Sequence, residues 1–99
     1  MTVKLLAVYN TPEDPAKFDA HYEAVHLPLA QAIPHLQSIS VDRVSNVMFG
    51  KHDIYMIATM TFADKAAFSA AMASPENRAA GADVMNLTGG RVSLMVVED

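Results

Sequence analysis

Residues 55–62, YMIATMTF, combine β-branched and aromatic side chains with apolar residues at both parities: Tyr55 and Ile57 on one side, Met56, Ala58, Met60 and Phe62 on the other. A strand of that pattern has no face that tolerates water, so it belongs inside a sheet covered on both sides. The constraint is severe for 99 residues, which supply one domain, 1–99, and one core of modest size. Residues 3–9, VKLLAVY, form a second β-rich run, closed by the turn formers of residues 10–15, NTPEDP. Residues 91–97, RVSLMVV, form another after the break at Gly89-Gly90. Residues 36–46, LQSISVDRVSN, alternate with period two but mix polar and apolar residues on each face, which predicts an edge strand or a bulge. Residues 47–53, VMFGKHD, have no period and read as a loop that carries Met48 and Phe49 over a pocket.

Two helical segments separate these strands. In residues 18–33, FDAHYEAVHLPLAQAI, the side chains Phe18, Tyr22, Val25 and Leu29 recur at spacings of four, three and four. At about 100° per residue they make one stripe facing a core. Asp14-Pro15 supplies an N-cap and a first-turn proline, and the helix ends near Ile33-Pro34. Pro28 has no N–H for the carbonyl of Ala24, which predicts a kink at the 26–29 step. Asp64 caps a second helix bearing Phe68 and Met72, and Ser74-Pro75-Glu76 repeats the cap-and-proline device and restarts that helix toward Met85.

The order β-α-β-β-α-β specifies an α+β, ferredoxin-like protomer: a four-stranded antiparallel sheet with both helices on one face. Two helices cover only one side, while strands one, three and four are apolar at both parities. The cheapest cover for the open side is a second copy, so the expected assembly is a symmetric homodimer whose sheets close into a dimeric α/β barrel.

Candidate chemistry lies at the edge of the first helical stripe. His26 sits roughly 80° around the helix from Phe18 and one turn after Tyr22, so an imidazole and a phenol lie side by side. With an ordinary pKa of about 6.5, the imidazole suits proton abstraction from an acidic C–H or phenol, assisted by Tyr22. The bland alternatives are a histidine bonded to a carbonyl freed by Pro28 and a core tyrosine with its hydroxyl at the rim. His21 falls on the other flank, and His35 and His52 lie in turns, His52 beside Asp53. Asp83 reads as structural, capping the Asn86-Leu87 turn or touching a partner subunit. Tyr55, Met60, Phe62 and the loop residue Phe49 are the candidate substrate-binding residues, and seven Met suggest an adaptable cavity wall for a small hydrophobic ligand.

Other classes are disfavoured. There is no Cys, and His21 and His26 are five apart rather than at the i, i+4 spacing that stacks two ligands, so no metal is expected. Gly89-Gly90 lacks the spacing and following helix of a phosphate loop, so no nicotinamide or flavin cofactor is expected. A net charge of −4 with seven scattered Lys and Arg leaves no stripe for nucleic acid. Apolar runs far shorter than a membrane span, with no signal-peptide layout, predict no membrane partner and a cytoplasmic location.

The pattern Pro12, Asp14, Phe18, Tyr22, His26-Leu27-Pro28-Leu29, followed by Ala73-Ser74-Pro75-Glu76 and Ala82-Asp83-Val84-Met85-Asn86-Leu87, resembles the EthD family along nearly the whole chain. One departure is Leu87, where the family pattern has an aromatic residue. The resemblance implies a ferredoxin-like protomer, a dimer, and a pocket between sheet and helices or inside the barrel. It also implies an oxidoreductase-type label, and related dimeric barrels include cofactor-free monooxygenases, lactone isomerases and polyketide cyclases that use a His and a Tyr. Two functions follow as expectations: a cofactor-independent enzyme acting on a small hydrophobic metabolite through His26, or a non-catalytic binding or accessory protein for an oxygenase.

Overall fold

A computed structural model describes residues 1–50 and 53–99. The elements are β1 (Val3–Asn10), α1 (Pro15–His21), a π-helical turn (Tyr22–His26), α2 (Leu27–Gln31), β2 (Ser38–Arg43), β3 (Ile54–Phe62), α3 (Lys65–Met72), α4 (Pro75–Thr88) and β4 (Val92–Glu98). This is the expected ferredoxin-like α+β order, with each helical segment divided. The sheet runs β2-β3-β1-β4 and is antiparallel at every pairing.

The doubly apolar strand β3 is indeed internal, paired with β1 on one side and β2 on the other. Its Met56, Ala58, Met60 and Phe62 join Val3, Ala7 and Tyr9 of β1 under the helices, all buried. The small pair Ala7 and Ala58 sits at the centre of this layer in direct register. On the opposite side, Leu6, Val8, Ile57 and Thr59 are half-buried and carry no helix. The edge strand β4 exposes Leu94, Met95, Val96 and Val97, which alternate between both faces.

Helices α1, α3 and α4 begin where their cap residues demand, whereas α2 continues from the π turn without a side-chain cap. The carboxylate of Asp14 accepts from the Lys17 N–H at 3.1 Å, and that of Asp64 from the Ala67 N–H at 2.8 Å. Ser74 Oγ accepts from the Asn77 N–H at 3.1 Å and donates to the Ala71 carbonyl at 2.6 Å, joining α3 to α4. Gly89, at φ 60°, closes α4 in the left-handed region that a side chain would disfavour.

Two expectations need correction. The first helical stripe does not run Phe18, Tyr22, Val25, Leu29. The buried residues are Phe18, Tyr22, His26, Ala30 and Ile33, while Val25 is 42% exposed. The cause is the π turn: the Leu27 N–H bonds to the carbonyl of Tyr22, five residues back, and Pro28 has no N–H to give. The wider turn delays every later side chain by one position, so His26 lies in line with the core instead of at its edge.

Tyr55 is likewise displaced. Tyr9 faces Met56 but Asn10 faces Ile54, so Tyr55 is the extra residue of a β-bulge. It leaves the Ile57 side and packs edge-on against Phe18, ring centres 5.7 Å apart. The expected strand 36–46 is shorter, Ser38–Arg43, with the Gln37 and Val44 N–H groups still donating to the Thr61 and Tyr55 carbonyls of β3 at its two ends.

Ser74→Ala removes a nearly buried hydroxyl that caps α4, and costs about 1 kcal/mol of stability at constant denaturant sensitivity. Urea unfolding checks this; an unchanged midpoint would show that Pro75 alone sets the start of α4.

Candidate functional site

The π turn places His21 and His26, five residues apart, on the same side of the helix, facing α4. On α4 the residues Ala80, Asp83, Val84 and Leu87 share one face by their spacing of three, one and three. Asp83 is the lone acid of that stripe. Its Oδ1 lies 2.9 Å from His21 Nε2 and its Oδ2 lies 2.9 Å from His26 Nδ1. An ionised carboxylate only accepts, so His21 carries a hydrogen at Nε2 and His26 at Nδ1. The reading of spacing five as incompatible with a shared face therefore fails at this turn. Both ring nitrogens that face Asp83 are spent on it, and among the described residues no three His, Asp or Glu side chains converge as metal donors.

Exposure falls steadily across the cluster: the side chains of His21, Asp83 and His26 are 32%, 12% and 7% exposed. His26 lines a cavity of about 50 Å³ together with Leu5, Ala7, Tyr9, Met60 and Val84. Its Nε2 has no partner among the described residues, yet no sealed side-chain nitrogen or oxygen there lacks one, so Nε2 is not sealed off. The chamber reaches the surface between α4 and β4, past Asn77, Gly81 and Leu94. Gly81 makes the gap: nothing approaches within 4 Å of the place where a Cβ would stand. On the far side of Asp83, His21 borders an open cleft of about 700 Å³ whose rim includes Lys17, Phe18, Asn86, Leu87 and Arg91.

Burial lowers the His26 imidazole below its ordinary value, against the raising influence of Asp83, so the ring is held neutral and basic at Nε2. Burial alone would raise the Asp83 carboxyl, but the hydrogen bonds from His21 and His26 outweigh it and hold the group ionised. Tyr9 and Tyr22 are both raised by burial, so both hydroxyls stay protonated and available as donors.

Of the candidate site residues, His26 and Tyr22 do come together, ring centres 5.2 Å apart. Tyr22 itself does not line the chamber; the phenol that does is Tyr9, which meets Tyr22 edge-on at 5.8 Å. Met60 lines the chamber. Phe62 does not: it is fully buried against Phe68, because its end of β3 lies under α3. Tyr55 is drawn by the bulge to Asp19 and Arg43, with its hydroxyl 2.9 Å from the Asp19 carboxylate and 2.7 Å from the Arg43 guanidinium. Phe49 stands 98% exposed on its loop and lines neither cavity. His35 is exposed at φ 66°, and His52 lies outside the described residues. Asp83, read from the sequence as a structural cap, and Tyr9 are the site residues that sequence reasoning missed; the signals available were an acid within an apolar i, i+3, i+4 stripe and a helix-facing residue of β1, neither of which reports the contact itself.

The architecture and this cluster define a ferredoxin-like α+β protomer with an aspartate-clamped histidine pair between sheet and helices. The EthD domain model matches residues 10–91, and the chain belongs to the EthD family. It is 35% identical over 96 residues, 97% of this chain and 93% of the other, to an uncharacterized 11.0 kDa protein of the thcB-thcC intergenic region of Rhodococcus erythropolis. An EthD family protein from Bacillus halodurans superposes with TM-score 0.93 at 36% identity, covering 100% of this chain and 99% of that one. SnoaB, a cofactor-independent oxygenase from Streptomyces nogalater, shares the fold alone, with TM-score 0.70, 16% identity, and 99% and 92% of the two chains covered. Ferredoxin-like proteins of 16 to 18% identity from Jannaschia, Thermobifida fusca and Bacteroides fragilis are dimeric. Among the described residues no helix is long and apolar enough to cross a membrane.

The lowered His26 makes stability depend on pH. The unfolded ring binds a proton near 6.5 and the folded ring only below that, so between the two the unfolded state holds more protons and stability falls as pH falls. The urea midpoint is expected to be lower at about pH 5.5 than at about pH 7.5, with much of the difference absent in His26→Gln. Equal slopes in the two proteins would mean that His26 is not the group that burial holds neutral.

Proposed function

We propose that this protein is a cofactor-independent enzyme that removes a proton from a small hydrophobic metabolite, with His26 as the base. The observation that carries the reading is the clamp on His26: Nδ1 is fixed on Asp83 while the ring lines a small apolar chamber. A histidine oriented by a carboxylate and kept neutral by burial is suited to take a proton from an acidic C–H or a phenol O–H. The imidazolium so formed keeps its Nδ1–H on Asp83, whose charge stabilises it. Tyr9, which lines the chamber, supplies a protonated hydroxyl for the oxygen on which negative charge develops, and Tyr22 packs behind it. The resulting enolate or phenolate is the species that an oxygenation, an isomerisation or a cyclisation requires. SnoaB lends support only by analogy of fold.

The chamber's size favours a fragment rather than a whole metabolite: about 50 Å³ holds roughly one or two water molecules. The reacting end of the substrate would enter past Gly81 and Leu94, leaving its apolar remainder along the groove between α4 and β4. The same small volume supports a second reading, a non-catalytic binding or accessory protein for an oxygenase.

Homodimerisation completes the proposal. The helix-free face of the sheet offers Leu6, Val8, Ile57, Met95 and Val97, and a second copy of this face is their natural cover. Native mass spectrometry is expected to show a dimer, and Met95→Lys a monomer. A wild-type monomer would remove the two-sheet barrel from the reading.

Screening phenols and enolisable lactones for turnover, then comparing His26→Ala, tests the chemistry. The enzyme reading expects a loss of about 100-fold or more in kcat with folding intact. A variant that loses affinity but never had turnover to lose identifies a binding protein, and wild-type turnover without His26 overturns the role of the base.

A further inference from the structure

The cluster contains one histidine more than proton abstraction at His26 requires. His21 does not line the chamber; it lies on the opposite side of Asp83, at the rim of the larger cleft. The same carboxylate receives both rings, one on each oxygen, at equal distances of 2.9 Å. The cluster therefore joins a small apolar cavity to a larger cleft of mixed lining through three side chains.

One anion can neutralise one cation. If both rings were protonated, the part-buried cluster would hold two imidazolium ions against a single carboxylate, and the second would be opposed by the first. Other nearby groups do not relieve this. From β1 comes Tyr9 and from the π turn Tyr22, both kept protonated and therefore neutral by burial. From β2, Arg43 acts on Tyr22, but its guanidinium is paired with Asp19 at 3.0 Å. Around the cleft, Lys17 and Arg91 are balanced in number by Glu13 and Asp14. Among the described residues, Asp83 is the carboxylate in contact with either ring.

We propose that His21 is the proton-exchanging partner of His26: in the state where His21 is the cation of the pair, with hydrogens at both Nε2 and Nδ1, His26 Nε2 takes a proton from the chamber as His21 releases its Nδ1 proton to water in the cleft, and the reverse step resets the pair. The inference rests on the proton-transfer reading of the same site and adds the route by which its charge is balanced. No proton passes through Asp83. The hydrogens on His26 Nδ1 and His21 Nε2 stay in place throughout, and both bonds to the carboxylate are kept. One proton arrives at the inner ring, one leaves the outer ring, and the cluster's net charge does not change. His21 acts through Asp83 and through its own charge, and is a positioning residue rather than a catalytic one. The opposing influence of the His21 charge on the His26 ring agrees with this coupling.

The test is a pH titration of the whole protein labelled with ¹⁵N at histidine, read by NMR at each ring nitrogen in the absence of substrate. Coupled rings give curves in two steps, each ring reporting the other's protonation, with His26 Nδ1 protonated throughout. His21→Gln keeps an N–H donor for Asp83 but removes the competing charge, and the His26 midpoint is expected to move upward and its curve to become a single step. A His26 midpoint unmoved in His21→Gln overturns the proposal, because His21 would then only hold Asp83 in place. Should that variant not fold, single-step independent curves in the wild-type protein overturn it equally well. Turnover plays no part in this readout, so a coupled pair in a protein that converts nothing would end the enzyme reading while leaving the coupling intact. Turnover with uncoupled rings would do the opposite.

Discussion

A helix that reaches Pro28 finds no amide hydrogen to return to the carbonyl of Ala24, and the chain meets this deficit by widening the turn before it. The Leu27 N–H is passed back to Tyr22, and every side chain from His26 onward is rotated by one place. That rotation turns an imidazole into the core in place of Val25. It also brings His21 and His26 to the same carboxylate, a juxtaposition that a regular α-helix with its 3.6 residues per turn would not make. The rest of the site follows: Asp83 has two partners because the π turn supplies two, and the His26 ring that lines the chamber is held there through Nδ1.

The aromatic residues around this turn hold it against the sheet. Tyr9 meets Phe18 and Tyr22 edge-on at 5.7 and 5.8 Å, and the latter two stack at 6.1 Å. Each such pair adds about 1 kcal/mol beyond the area it buries, so the turn is clamped from the sheet side as well as from α4. The same burial that anchors Tyr9 and Tyr22 keeps their hydroxyls protonated. Packing and chemistry are thus set by one group of residues.

Much of this was legible in residue patterns. Three helix starts follow from Asp14, Asp64 and Ser74-Pro75, whose side-chain oxygens find the N–H groups that local geometry predicts. The apolar parity of residues 55–62 placed β3 inside the sheet, and β-α-β-β-α-β gave the fold without any long-range information. His26 beside Tyr22 was readable from a spacing of four. The errors have local causes. Counting at 100° per residue assumes one helical pitch, so Val25 and Leu29 were assigned to positions that His26 and Ala30 occupy. Strict alternation assumes no bulge, so Tyr55 was assigned with Ile57 when it belongs with Asp19 and Arg43. Asp83 depends on a contact 57 residues away in the chain, and no local pattern reports a contact of that kind.

The edge strand β4 bears on how this chain lives in solution. Residues 92–97, VSLMVV, contain no charge, no proline and no bulge, the usual devices by which a sheet edge refuses strangers. Two acids follow directly: Glu98, paired with Lys65 at 3.3 Å, and Asp99, which accepts the Thr2 N–H at 2.7 Å. They tie down the end of the strand and leave its length open. An edge of this kind does not discriminate between partners, so its open backbone groups can accept a strand from another chain as readily as from a specific neighbour, and the exposure to mispairing grows with the concentration of unfinished chains.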